Sequence, residues 1–150
     1  MPIKSFRGKI ADGSQEAIAL HTNNGSTGYR IVKFFTIDET PGTANCELLT
    51  KVYKIQQTSI DGDVDFSDNT LIGTAYYGFG SSGATAESIY FDNEIFNQDL
   101  YITHKDNTGN NEPANYYIEL EVVKLDLGEN TVATLKDIRN IKAQWVNNII

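Results

Sequence analysis

Polar and apolar residues alternate along most of this chain, the pattern of strands with one buried face. Phe6 and Ile10 fall on one face of a first strand, and Ile18 and Leu20 on one face of a short second one. Residues 29–37 read as a longer strand with Tyr29, Ile31, Phe35 and Ile37 on one side, interrupted by Lys33, and Val32 and Phe34 on the other. Apolar groups on both sides point to a central strand or to one covered by a neighbouring subunit. Residues 46–56, 70–77, 88–91 and 100–104 continue the series. The strand that organises the rest begins at Asn115, with Tyr116, Ile118, Leu120 and Val122 on one face and Glu119 and Glu121 on the other. Val123 and Leu125 then break the alternation, which predicts a β-bulge near Val122 and Val123.

Turn chemistry separates these runs. Asp12-Gly13-Ser14, Asn23-Asn24-Gly25-Ser26 and Thr40-Pro41-Gly42 supply residues that tolerate tight backbone geometry. Residues 78–85, GFGSSGAT, read as a mobile loop, and residues 105–114 as a long exposed turn. In residues 92–98, Ile95 and Phe96 read as inward anchors. Beyond Asn130, which can cap a helix, Val132, Leu135, Ile138 and Ile141 recur every third residue, so residues 131–142 are expected to be helical. The expected fold is all-β, an antiparallel β-sandwich or jelly roll of about eight strands with a short C-terminal helix. One domain covers residues 1–150, with residues 1–10 an edge strand or an N-terminal arm and residues 131–150 a helix and tail.

Composition sharpens this. Eight Tyr and seven Phe favour strands, and twelve Gly punctuate them. The formal charge is -8, yet residues 1–10 carry +3 and residues 124–150 carry +1, so the body between carries -12. An acidic body argues against a nucleic-acid partner. The first ten residues lack a long apolar core, and no apolar run approaches the length of a membrane helix, so neither export nor a membrane partner is expected. The basic start, with Lys4, Phe6, Arg7 and Lys9, is a candidate docking element for an acidic neighbour; its alternative is a solvated edge. At the other end Trp145, Val146, Ile149 and Ile150 either close the core or dock on another subunit.

Catalytic signals are weak. The single Cys46 excludes an intrachain disulfide and reads as a buried thiol. His21 and His104 belong to no nucleophile motif, and Glu119 and Glu121 read as the wet side of a strand, so no enzyme activity is expected. No cofactor is expected either. Asp61, Asp63 and Asp65 in DGDVD offer hard oxygen ligands of the kind calcium takes. Phe66 and Ile72, however, stand where a calcium-binding loop needs Gly and Glu, so a solvated acidic loop is the preferred reading. Tyr76, Tyr77, Phe79, Tyr90, Tyr116 and Tyr117 are candidates for stacking on sugars, with packing as the alternative.

Four segments carry a family likeness: ALHTNNGSTGYRIVKF at residues 19–34, TSIDGDVDFSDNTLIG at 58–73, IYFDNEIFNQDLYITHKD at 89–106 and YYIELEVVKLDLGENTVATLKDIRN at 116–140. They resemble small virion structural proteins of marine tailed bacteriophages, and they have no chemical signature of their own. The resemblance implies a non-enzymatic particle component located in the virion and made in the host bacterial cytoplasm. A capsid decoration or cement protein stabilising the phage head is the first expectation. It would contact the major capsid protein or other virion subunits and form a homo-oligomer, a trimer being one option. A tail-associated or fibre-like module binding host glycans is the alternative. In seawater, salt screens charge over roughly 3–4 Å, so attachment should rest on apolar burial more than on ion pairs.

Overall fold

A computed structural model describes residues 2–22 and 25–125. Eight strands follow in order: β1 (Ile3–Ile10), β2 (Gln15–Ile18), β3 (Thr27–Asp38), β4 (Cys46–Tyr53), β5 (Leu71–Gly80), β6 (Gly83–Tyr90), β7 (Leu100–Asp106) and β8 (Ala114–Lys124). They form two antiparallel sheets, β1-β8-β3 and β2-β7-β4-β5-β6. The pairings are nested: β1 with β8, β2 with β7, and β4 with β5 at the centre. The remaining two strands, β3 and β6, pack against each other across the sandwich while β6 keeps its ladder to β5. This wrapping order is that of a jelly roll with one sheet a strand short. The helix expected at residues 131–142 lies outside the described residues.

The inward face of β8 sets the core. Ala114, Tyr116, Ile118 and Leu120 are buried and meet Leu48, Val52, Ile72, Leu100 and Ile102 of the larger sheet. Tyr29 stacks on Phe96, ring centroids 6.1 Å apart, and the backbones of the two residues exchange hydrogen bonds of 2.8 and 3.0 Å. Tyr116 reaches from β8 to donate its hydroxyl proton to Glu16 Oε2 at 2.8 Å, tying the small sheet to β2. Gly8 stands opposite Tyr116, and a Cβ there would come within 3.0 Å of the ring. The ring can cross β1 because that side chain is missing.

Several expectations need correction. The bulge is on β3. Ile31 pairs with Leu120 and Lys33 with Glu119, leaving Val32 as the extra residue, while β8 runs regularly through Val122 and Val123. The extra residue exchanges the faces of β3: Tyr29 and Ile31 point inward before it, and Phe34, Thr36 and Asp38 after it. Phe35 and Ile37 therefore face solvent, and β3 is an edge strand of its sheet. Residues 78–85 form a hairpin, with Gly80 opposite Gly83 and only Ser81 and Ser82 between them. Gly83 takes a φ of 98°, which lets the chain reverse so tightly. Of the two inward anchors, Phe96 is buried and Ile95 is exposed.

The bulge makes neighbouring residues behave oppositely. Phe34→Ala should cost about 3–5 kcal/mol in urea unfolding, the range for emptying a core aromatic site. Phe35→Ala should stay within about 1 kcal/mol of wild type. Equal losses at the two positions would place the bulge elsewhere.

Candidate interaction surfaces and the buried polar frame

The outer face of the small sheet is built from cross-strand rows. Arg7, Tyr117 and Phe35 share one row, and Lys9, Asn115 and Ile37 the next. Phe35 and Tyr117 stack with centroids 6.4 Å apart and planes 15° from parallel. Lys33 Nζ sits 5.7 Å from the Phe35 ring. Phe35 is 50% exposed, Ile37 45% and Ile3 49%. Shallow depressions of about 430 and 380 Å³ lie on either side of Asn115 and Tyr117, towards Arg7 and towards Phe35. Lys9 pairs with Glu39 at 2.7 Å, Arg30 with Glu121 at 2.8 Å and Lys33 with Glu119 at 3.9 Å. Among the described residues Arg7 has no ion pair. Tyr117 donates to Glu119 Oε2 at 2.6 Å, and that bond to a carboxylate pushes the phenol above its ordinary range.

The structure divides the basic segment singled out in the sequence. Residues 3–10 are laid down as an edge strand, hydrogen-bonded to β8 over its whole length. Arg7 and Lys9 share the outward face with Ile3. Phe6 turns inward and packs on the core, and Lys4 Nζ lies 5.7 Å from the Tyr29 ring. Trp145, Val146, Ile149 and Ile150 lie outside the described residues. Of the aromatic candidates, Tyr77 and Tyr116 are core, while Phe79 and Tyr90 pack against it. Tyr117 joins an outward aromatic pair whose other member, Phe35, the alternation places on the same side of the strand as Tyr29 and Ile31.

The acidic loop between β4 and β5 is held by an internal cation. Lys51 Nζ is buried and donates to Asp61 Oδ1 at 2.8 Å and to the Asp63 carbonyl at 2.6 Å. Burial, the largest single influence, favours the neutral amine, yet the hydrogen bonds and charges of Asp61 and Tyr53 together outweigh it, and the Lys51 ammonium titrates above its ordinary range. Asp61 is correspondingly held below the usual carboxylate range by Lys51. Asp65 turns away and accepts from Ser67 N and Oγ at 2.9 and 2.5 Å. The oxygens that do converge are thus filled by an ammonium, and among the described residues no cluster of three metal-ligating side chains forms.

A second polar frame crosses the sandwich. Thr50 Oγ1 donates to Thr36 Oγ1 at 2.9 Å, and Thr36 Oγ1 donates to the Asn115 carbonyl at 3.2 Å. His104 is fully buried, with Nε2 2.9 Å from the Glu112 carbonyl. A carbonyl only accepts, so Nε2 carries a proton, and Nδ1 lies 3.4 Å from Thr50 Oγ1. His21 is exposed and its Nδ1 lies 2.7 Å from Asp99 Oδ1, which also accepts from the Leu20 and His21 amides at 2.8 and 3.0 Å. Asp106 shapes the turn before β8, accepting from Glu47 N, Thr108 N, Thr108 Oγ1 and Glu112 N at 2.7–3.1 Å. Burial pushes its carboxyl up, but these bonds win and hold it below the ordinary range. Glu112 goes the other way, raised by burial and then by the charge of buried Asp38 beside it. Cys46 is buried, and burial followed by the Asp38 charge pushes its thiol up to about 11.

Known protein families and curated proteins contain no match to the chain. Among solved structures it is similar to the Cocksfoot mottle virus structure, at 6% identity and a TM-score of 0.34, covering 87% of this chain and 100% of that one. So loose a superposition adds nothing to the fold that strand pairing defines, and says nothing of role.

Two measurements check this frame. Glu112 has a raised folded-state pKa, so its favourable contribution is complete below the unfolded pKa and is lost as pH rises through the folded one. Glu112→Gln should therefore raise the melting temperature at neutral pH, and the gap should close as pH falls towards about 4.3. A gap that widens on acidification would contradict the repulsion from Asp38. Millimolar calcium should leave the melting temperature unchanged, since Lys51 occupies the oxygens; a clear rise would show that the ion displaces it.

Proposed function

We propose that this chain is a non-enzymatic structural protein of a virion, a decoration or cement protein on a phage head. The observation that carries the reading is the outer face of the β1-β8-β3 sheet. Ile3, Phe35 and Ile37 are each about half exposed there, among cations, on a protein whose net charge is -8. An apolar patch rimmed by charge is the mark of a surface that meets a partner. The four segments resembling phage virion proteins say what kind of partner: the major capsid protein or other virion subunits. The polar groups described above are spent on holding turns and sheets together, which suits a component whose task is to stay folded. Phe35 and Tyr117, stacked beside Arg7, Asn115 and Glu119, give one specific observation for the alternative, a tail module that holds host glycans by stacking and hydrogen bonds.

Location in purified particles separates the two. The first reading predicts cryo-EM density for this domain at repeated positions over the capsid. Density confined to the tail tip, with glycan-array binding lost in Tyr117→Ala, would establish the second instead. Tyr77→Ala is not a useful probe, because that ring is buried and its loss would weaken the core.

A further inference from the structure

Two surfaces of this protein complement each other and cannot meet within one chain. The first is the outer face of the small sheet, with Arg7, Lys33, Phe35 and Ile37. The second is the loop between β4 and β5. Val64 and Phe66 are 43% and 54% exposed there, interleaved with Asp63 and Asp65, and Asp68 follows two residues after Phe66. Among the described residues none of these three aspartates has an ion pair. The face carries Arg7, Lys9, Arg30 and Lys33 against Glu119 and Glu121, a local excess of cations among apolar groups, while the loop is apolar with anions.

Their placement follows from strand geometry. Thr50 points inward to meet Thr36 of the other sheet, so its neighbour Lys51 points outward. Lys51 holds Asp61 and Asp63, so the loop lies over the outer face of the larger sheet. Asn107 Nδ2 adds a bond to the Gly62 carbonyl at 3.1 Å. The two patches therefore look away from each other through the thickness of the sandwich.

We propose that the loop at residues 61–68 of one copy docks on the β1-β8-β3 face of the next, head to tail. The inference rests on reading the chain as an assembling structural protein, and it names the self-contact of that assembly. Acidic bodies repel each other, so a second copy is favoured where cations are in local excess, and that is the face carrying Arg7, which has no ion pair among the described residues. The loop arrives pre-shaped. Asp65 and Asp68 accept from Ser67 and Thr70, and Phe66 stands edge-on to Phe91 at 5.6 Å, so little ordering is lost on docking. A contact between two different patches is heterologous and generates a ring if its rotation closes, or a filament if it does not.

The test is sedimentation velocity of the full chain over a range of concentrations, with a loop variant Phe66→Ser and a face variant Phe35→Ser. Both changes are on the surface, and circular dichroism should match wild type. Wild type should self-associate, and each variant alone should lose that by about tenfold or more. Mixed one to one, the variants should form a heterodimer and nothing larger, because one copy keeps only its loop and the other only its face. Assembly of Phe66→Ser equal to wild type would show a face-to-face contact and overturn the proposal, as would a mixture that stays monomeric. A wild-type monomer that still occupies particles overturns the docking alone. A self-associating chain absent from particles overturns the virion reading and leaves the docking standing.

Discussion

β8 is hydrogen-bonded along both edges, to β1 from Ile3 to Ile10 and to β3 from Thr27 to Asp38. With both ladders in place, only one register buries Ala114, Tyr116, Ile118 and Leu120, since a one-residue slip would turn all four to solvent. That register decides which residues of β1 and β3 point inward. It puts Gly8 beneath Tyr116 and Phe34 opposite Ile118. It also aims the Tyr116 hydroxyl at Glu16 and brings the Asn115 carbonyl to Thr36. The sandwich is joined by these polar links as well as by its apolar core.

The same constraint produces the outer surface. β3 must match β8 while carrying one residue more, and the mismatch is absorbed at Val32. The bulge keeps Tyr29, Ile31 and Phe34 in the core and turns Phe35 and Ile37 out beside Tyr117. The apolar outer face thus follows from how the core is paired. On the other side of the sandwich a buried ammonium organises the acidic loop. A lysine taken out of water is costly unless paired and hydrogen-bonded, and Asp61 and the Asp63 carbonyl supply both needs.

Much of the fold was legible in the sequence because alternation reports burial directly. The strand from Asn115, the all-β class, the polar turns and the buried thiol all follow from local pattern. The bulge was legible only as a mismatch. Leu125 looked like a slip within the strand, but it lies past the end of β8, its amide bonded to the Ser26 carbonyl. A one-strand pattern shows that two residues are out of phase and does not show which partner holds the extra one. The mid-strand Lys33 was the local sign of the β3 bulge. In GFGSSGAT, glycine content reads as mobility, yet Gly80 and Gly83 frame a two-residue turn. Lys51 gave no sign at all, because a lysine between strand residues reads as solvent-facing until the loop that covers it is placed.

Residue-resolved amide hydrogen exchange tests the role of β8 most directly. Amides from Tyr116 to Leu120, bonded on both sides and buried beneath the larger sheet, should open only with global unfolding and fall in the slowest class. Those of β6, an exposed edge strand paired on one side only, should exchange much faster. Exchange of the central β8 amides as fast as those of β6 would contradict the account.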